Sequence, residues 1–174
     1  MNYGEAVKKS MEDLAKDPDV LFVGYNLIHG SKAYGSLKEV SQNKIIEMPV
    51  AENLMGGMST GLAIVGFKPV LIFERHDFIL NSLDSLVNHL DKFKELSHGQ
   101  YSPKVIIRAI VGSLSPIDPG PQHKQDFTEA FRSIFKMPVY DPKNSQQVLE
   151  CYDQAKKIEG SAIIIERKDL YNLE

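Results

Sequence analysis

The fold of this chain is decided around one stretch, which reads Ile45-Ile46-Glu47-Met48-Pro49-Val50-Ala51-Glu52-Asn53-Leu54. Its apolar start is typical of a buried strand, predicted over 44–50, and a helix rich in small residues is predicted over 53–65. Glu52 stands between the two. Burying a carboxylate is costly unless it is paired or hydrogen-bonded, so Glu52 is either a pocket-facing group or a helix N-terminal acid favoured by the helix dipole. The spacing alone leaves both interpretations open.

Helices and short apolar strands alternate in both directions from this stretch. Further helices are predicted over about 3–14, 78–93, 127–135 and 145–158, and further strands over 20–25, 69–73, 105–111, 137–140 and 162–166. Residues 29–41 and 112–124 are rich in glycine, proline or serine and are predicted to be loops. This alternation predicts an α/β fold, a doubly wound and mostly parallel sheet with helices on both faces, in one domain covering 1–174.

Composition narrows the classes of function. The chain has 174 residues, of which 43% are hydrophobic and 25% charged, as in an ordinary globular protein. Its net charge of -3 gives no general attraction to nucleic acid or to an acidic membrane. Cys151, the single cysteine, excludes an internal disulfide framework and cysteine-based zinc sites. Because neither a targeting signal nor a membrane-length apolar run is visible, we expect a soluble, cytoplasmic protein. The aspartates and histidines show no metal-ligand spacing, so we expect no metal site within this chain.

Polar clusters follow three of the predicted strands, where ligands bind in folds of this kind. They are Glu52, residues 74–78, and Gln122-His123. Each has a purely structural alternative. His123 could be a solvated loop histidine, Phe78 the first core residue of its helix, and His76 a surface histidine. The remaining histidines have no supporting neighbours and are predicted to be surface residues: His29, His89 and His98.

Familiar phosphate and catalytic signatures are missing from the sequence. It contains neither G-x-G-x-x-G after a strand nor G-x-x-x-x-G-K-[ST], which disfavours an unrelated doubly wound nucleotide-binding module. It also lacks H-E-x-x-H, which disfavours a zinc protease. Gly57-Met58-Ser59-Thr60-Gly61 fits G-x-S-x-G, but it lies inside a predicted helix and not at the turn from a strand into a helix, which disfavours a serine hydrolase.

The order of the motifs along the chain resembles the pyrimidine-binding domain of transketolase-like thiamine diphosphate enzymes. It is most similar to the N-terminal half of the beta chain of pyruvate-type 2-oxo acid dehydrogenases. The resemblance covers nearly the whole chain and rests on Met48-Pro49-Val50-Ala51-Glu52, Gly66-x-x-Pro69-Val70, Asp77-Phe78, Asp84-x-x-Val87-Asn88-His89, Val105-Ile106-Ile107-Arg108 and Gln122-His123.

The resemblance implies a role for five positions. Glu52 matches the glutamate that hydrogen-bonds a ring nitrogen of the cofactor's aminopyrimidine and so helps to activate the thiazolium carbon. Phe78 matches the aromatic residue that stacks on the same ring. Val50 and Glu74 match positions that line it. His123 matches a histidine that faces the substrate, where it stabilises or protonates the reacting acyl group.

The sequence also departs from the family pattern. The Gly-Asp-Gly signature with its distant asparagine, which holds magnesium and the diphosphate, is absent, and the chain stops at Glu174 where beta chains carry a second domain. Residues 74–76 are charged where the family is mainly apolar. We therefore expect the pyrimidine-binding subunit of a split thiamine diphosphate enzyme, inactive alone, whose partner chain supplies the diphosphate-binding domain and the magnesium ligands.

The expected chemistry is formation or cleavage of a bond next to a carbonyl of a small keto substrate, by ketol transfer, decarboxylation or acyl transfer. The expected assembly is a homodimer or heterotetramer, with the helix that starts at Phe78 and the glycine-rich helix after Glu52 as candidate interfaces. The alternative is a non-catalytic relative that only binds and regulates a partner, because fold does not fix function.

Overall fold

The computed structural model describes residues 1–114 and 118–173, so residues 115–117 of the predicted 112–124 loop, and Glu174, lie outside it. The strands are β1 Val20–Gly24, β2 Ile45–Glu47, β3 Lys68–Phe73, β4 Ile106–Val111, β5 Val139–Tyr140 and β6 Ala162–Arg167. The α-helices are α1 Tyr3–Ala15, α2 Glu52–Ile64, α3 Phe93–Leu96, α4 Thr128–Ile134 and α5 Ser145–Lys157. Shorter 3-10 turns span Gln42–Lys44, Pro121–His123 and Lys168–Leu170.

The strands form one sheet in the order β2-β1-β3-β4-β6-β5, and every neighbouring pair is parallel. Phe22 of β1 lies opposite Ile45 on one side and Val70 on the other. The inner strands β3, β4 and β6 are buried along almost their whole length. Strands that are covered on both faces read as continuous apolar runs, which is why the sequence located them.

Each face of the sheet carries its own hydrophobic core. Val7 of α1 and Val148 of α5 belong to one core, whereas Met55 of α2 and Phe131 of α4 belong to the other. Helices therefore cover both faces, and the predicted doubly wound, parallel α/β architecture is confirmed.

The segment predicted as one long helix from residue 78 is helical but irregular. It consists of a 3-10 helix at His76–Ser82, a π-helix at Asp84–His89, a 3-10 turn at Leu90–Lys92 and then α3. Serine side chains compete here with regular helical hydrogen bonds. Ser82 Oγ donates to the carbonyl oxygen of Glu52, and Ser85 Oγ donates to the carbonyl oxygen of Ser82. The prediction of a regular helix was wrong, because these bonds tie the segment to α2.

Gly56 explains how closely α2 approaches that segment. A Cβ atom at this position would lie 2.1 Å from Ser85 Oγ and 2.6 Å from Ser82 Oγ. The small-residue pattern therefore serves packing at Gly56. On the opposite side of α2, a Cβ atom at Gly57 or Gly61 would meet nothing within 4 Å.

The strand predicted over 44–50 is shorter in the structure, where β2 ends at Glu47. The carboxylate of Glu47 accepts hydrogen bonds from the backbone amides of Leu27 and Ile28, at 2.9 and 2.7 Å, and so turns towards the loop after β1. Pro49 follows and has no backbone N–H with which to continue the hydrogen bonds of the sheet.

Along the described ranges, the helices are all too short or too polar to cross a membrane.

Candidate active site

The site lies where the direction of the strand order changes. β1 is flanked by β2 and β3, and in open parallel sheets ligands bind beyond the carboxyl ends of strands at such a point. Tyr25 follows β1, Glu52 begins the helix after β2, and Glu74 follows β3. All three side chains are buried, with 7%, 6% and 8% of their surfaces exposed.

Glu52 is the first residue of α2, and its carboxylate faces inward. Its Oε1 atom is buried and has no hydrogen-bond partner among the residues that the structure describes. A buried carboxylate oxygen without a donor is costly. The structure thus contains a preformed acceptor for an N–H or O–H group from outside the described chain.

Tyr25 was not selected from the sequence, although it ends an apolar run at the edge where ligands bind. Its hydroxyl is buried and likewise has no partner in the described part of the chain. Burial, together with the negative charges of Glu52 and Glu74, raises the pKa of Tyr25. The hydroxyl therefore stays protonated and can donate a hydrogen bond close to two carboxylates.

Glu74 is engaged by the loop that follows β1. One carboxylate oxygen accepts a short hydrogen bond from Ser31 Oγ, and the other accepts from Asn26 Nδ2 at 3.4 Å. The hydroxyl of Tyr34 donates to the backbone oxygen of Glu74 at 3.3 Å. The carboxylate thus anchors this loop to the end of β3, in addition to the ring-lining role that the resemblance implies.

Phe78 and His123, which lie 45 positions apart in the sequence numbering, meet at this edge. Their rings are 5.3 Å apart between centroids and nearly perpendicular, and both side chains are half-buried. Gly112 permits this approach, because a Cβ atom there would lie 1.9 Å from the carbonyl oxygen of His123. Val50, two residues before the start of α2, is 70% exposed and open to contact from outside the chain.

His76 is buried, so the alternative that it is a surface histidine is wrong. Its Nε2 atom accepts a hydrogen bond from the backbone amide of Phe127 at 2.9 Å, and its ring stacks on Phe131 at 4.9 Å. Burial lowers the pKa of His76 to about 4. Helical periodicity could not reveal this contact, because the donor is 51 residues away in the sequence.

The carboxylate of Asp77 binds the loop that carries His123. Its Oδ1 atom accepts hydrogen bonds from the backbone and side-chain nitrogens of Gln125, at 3.1 and 3.2 Å.

The other histidines in the sequence are exposed, as predicted: His29, His89 and His98.

Comparison with known proteins assigns this arrangement to a family. The sequence matches the family described as "Transketolase, pyrimidine binding domain" over residues 1–174. The chain belongs to this family. The resemblance drawn from the motifs is therefore confirmed, and the alternative of an unrelated nucleotide-binding module is wrong.

Individual relatives agree with this assignment. The chain is 26% identical over 176 residues to the mitochondrial pyruvate dehydrogenase E1 component subunit beta of Saccharomyces cerevisiae, covering 98% of this chain and 48% of the yeast protein. It is 26% identical over 176 residues to the beta subunit of acetoin:2,6-dichlorophenolindophenol oxidoreductase of Cupriavidus necator, covering 94% of this chain and 52% of that protein.

A solved structure described as "Split gene transketolase, inactive beta4 tetramer" superposes with a TM-score of 0.75. At 19% sequence identity, covering 97% of this chain and 52% of that one, it supports the fold. The chain spans about half the length of each of these three proteins.

Proposed function

We propose that this chain, as one domain covering residues 1–174, is the pyrimidine-binding component of a thiamine diphosphate-dependent enzyme of the transketolase or 2-oxo acid dehydrogenase type. The observation that carries the proposal is the buried Glu52 Oε1 without a donor, near the unpartnered Tyr25 hydroxyl. An aminopyrimidine ring offers N–H donors and ring-nitrogen acceptors, so it complements a carboxylate oxygen and a hydroxyl.

Each of the site residues has a role in this proposal. Bound thiamine diphosphate would supply the group that stabilises negative charge next to a substrate carbonyl. Glu52 would share a proton with a ring nitrogen at Oε1. Phe78 would pack on the ring, and Val50 and Glu74 would line it. His123 would hold or deliver a proton at the reacting keto group.

We infer that a separate chain supplies the diphosphate-binding domain and the magnesium ligands, and that this chain is inactive alone. Two observations support the inference. The Gly-Asp-Gly signature is absent from the sequence, and the solved structure with the same fold is described as a split gene transketolase. The substrate would be a small keto compound, handled by ketol transfer, decarboxylation or acyl transfer.

The exposed side of α2 is our proposed interface, either in a homodimer or with the partner chain in a heterotetramer. Leu54 is 56% exposed and Val65 is 72% exposed, while Gly57 and Gly61 between them leave open space. A stable interface buries on the order of 1,200 Å² or more. Val65→Lys should therefore shift sedimentation towards the monomer, whereas Leu173→Lys, at a 57% exposed leucine outside both candidate interface helices, should not. Equal sedimentation of both variants would contradict this interface.

Calorimetric titration tests the split site. The purified chain with magnesium should bind thiamine diphosphate weakly or not at all, because half of the site is supplied elsewhere. Adding the chain that carries Gly-Asp-Gly and the downstream asparagine should give tight, magnesium-dependent binding. Tight binding by the chain alone, or no binding by the pair, would overturn the proposal. Cofactor binding by the pair without turnover would favour the non-catalytic relative.

Two variants of the reconstituted pair separate the roles of the site residues. Glu52→Gln should preserve most cofactor contacts and lower turnover, because it removes an interaction needed for activation. Phe78→Ala should weaken cofactor binding, because stacking acts in the ground state as well. Deuterium exchange of the thiazolium proton, followed by NMR, reports the Glu52 step directly. Exchange as fast in Glu52→Gln as in the parent would show that Glu52 is not the activating residue.

A further inference from the structure

The segment that carries His123 has little regular structure of its own. It connects β4 to α4 over residues 112–127, and its described residues contain one 3-10 turn, Pro121–His123. An ion pair between Lys124 and Asp118 joins two residues of the same segment and does not attach it to the sheet. Loops place a side chain accurately where a rigid scaffold holds them. The position of the His123 imidazole therefore depends on contacts from outside the segment.

Two neighbouring side chains after β3 make such contacts. Oδ1 of Asp77 accepts hydrogen bonds from the backbone and side-chain nitrogens of Gln125, at 3.1 and 3.2 Å. Nε2 of His76, whose imidazole is fully buried, accepts a hydrogen bond from the backbone amide of Phe127 at 2.9 Å. Because both acceptors bind backbone amides, they fix the path of the main chain. They do so two and four residues after His123.

Arg167, the last residue of β6, holds the position between these two. Its Nη1 atom pairs with Asp126 at 2.8 Å, while its Nε and Nη2 atoms bind Asp141 at 2.8 and 2.9 Å. Asp126 also accepts a hydrogen bond from the backbone amide of Thr128 at 3.0 Å, where α4 begins. Three consecutive residues after His123 are thus attached to the ends of two strands.

The imidazole of His123 contacts the residue next to these acceptors. Its ring centroid lies 5.3 Å from that of Phe78, which directly follows Asp77. One strand end therefore supplies the ring that faces His123 and both acceptors that hold its segment. A displacement of about 1 Å at a reacting group can lower a rate on the order of a hundredfold. Fixing the segment at this strand end therefore matters for any reaction that uses the imidazole.

We propose that His76 and Asp77 are positioning residues that hold His123 against Phe78 and so place its imidazole at the reacting keto group. Neither residue has a part in the proton transfers proposed above. The role of His123 in the reaction rests on the proposed function. The placement of its imidazole by these two residues does not.

NMR of the isotopically labelled full chain tests the placement without cofactor. An aromatic ring shifts the resonances of nearby nuclei, so the ring protons of His123 should be displaced from those of the exposed His29. Asp77→Ala and His76→Phe each remove an acceptor, and each should abolish most of that displacement. Asp77→Asn and His76→Gln retain an oxygen acceptor and should preserve it.

Glu47→Ala is the matched control, because the Glu47 carboxylate also accepts two backbone hydrogen bonds from a loop at this edge, the one after β1. It should leave the His123 resonances in place. Unchanged His123 resonances in both Asp77→Ala and His76→Phe, or equal changes in Glu47→Ala, would overturn the proposal. Loss of folding in both variants would show that they hold the core and not the segment, and would also overturn it.

Turnover by the reconstituted pair tests the consequence for the reaction. Asp77→Ala should bind thiamine diphosphate as the parent does and lose on the order of a hundredfold in turnover, and Asp77→Asn should recover most of the loss. An equal loss of cofactor affinity would show that Asp77 acts on the cofactor and would overturn the proposal. Expected His123 shifts in a pair that binds no cofactor would refute the proposed function and leave the placement standing. The reverse would refute only the placement.

Discussion

The buried imidazole of His76 should make the stability of this protein sensitive to mild acid. His76 is fully buried and accepts the Phe127 amide hydrogen at Nε2, an atom that can accept only while the ring is neutral. Its pKa falls from an ordinary 6.5 to about 4 on folding. As the pH decreases from 6.5 to 4, the unfolded chain therefore takes up a proton that the folded chain refuses, and the free energy of unfolding decreases.

The size of the effect follows from the two pKa values. The gap between 6.5 and about 4 corresponds to roughly 3 kcal/mol at 1.36 kcal/mol per tenfold change in proton affinity. His76→Phe retains an aromatic ring beside Phe131 but cannot be protonated. At pH 8 it should be less stable than the parent by about 1–3 kcal/mol, because the Phe127 amide loses its acceptor. As the pH is lowered to 4, the parent loses roughly 3 kcal/mol that the variant does not lose. The difference in unfolding free energy between them should therefore shrink by that amount and can change sign.

Urea unfolding followed by far-UV circular dichroism measures this difference, since the chain has no tryptophan to report fluorescence. Carboxylate titration acts on the parent and the variant alike, so the difference between them isolates His76. His29→Phe, at an exposed histidine, is the control for the loss of an imidazole side chain as such. A deficit for His76→Phe that stays constant within about 0.5 kcal/mol from pH 8 to pH 4 would refute the reasoning.

Two further pairs of variants test the packing of buried residues. Arg108 of β4 and Glu166 of β6 form an ion pair at 2.7 Å, and both side chains are fully buried. Glu166→Gln should cost about 3–5 kcal/mol of unfolding free energy, because it leaves Arg108 without its counter-ion. A loss no larger than that of Glu150→Gln, at an exposed position, would show that the pair contributes little. Gly56→Ala should cost about 1–3 kcal/mol through its clash with two serines, whereas Gly57→Ala should stabilise the dilute, monomeric chain by about 0.5–1 kcal/mol. Equal effects of the two alanines would contradict the close packing of α2.

The sequence by itself determined the architecture. Apolar runs such as 69–73 and 162–166 are strands buried on both faces, and that local pattern is sufficient to predict a parallel sheet covered by helices. The position of Glu52 after such a run, at the start of a helix, was predictable for the same reason. The ordered motifs then indicated the family, which the match over residues 1–174 confirmed.

Only the tertiary structure decided which polar groups find partners. His76 is buried because an amide from position 127 reaches it, and the segment after it departs from a regular helix because its serines bond to α2 and to one another. Tyr25 and Glu52 each keep an unpartnered atom, whereas Glu74 is satisfied by a loop more than 40 positions earlier. Periodicity records which side of an element is apolar. A hydrogen bond or an aromatic contact depends on atoms brought together from distant positions, and that proximity exists only once the chain has folded.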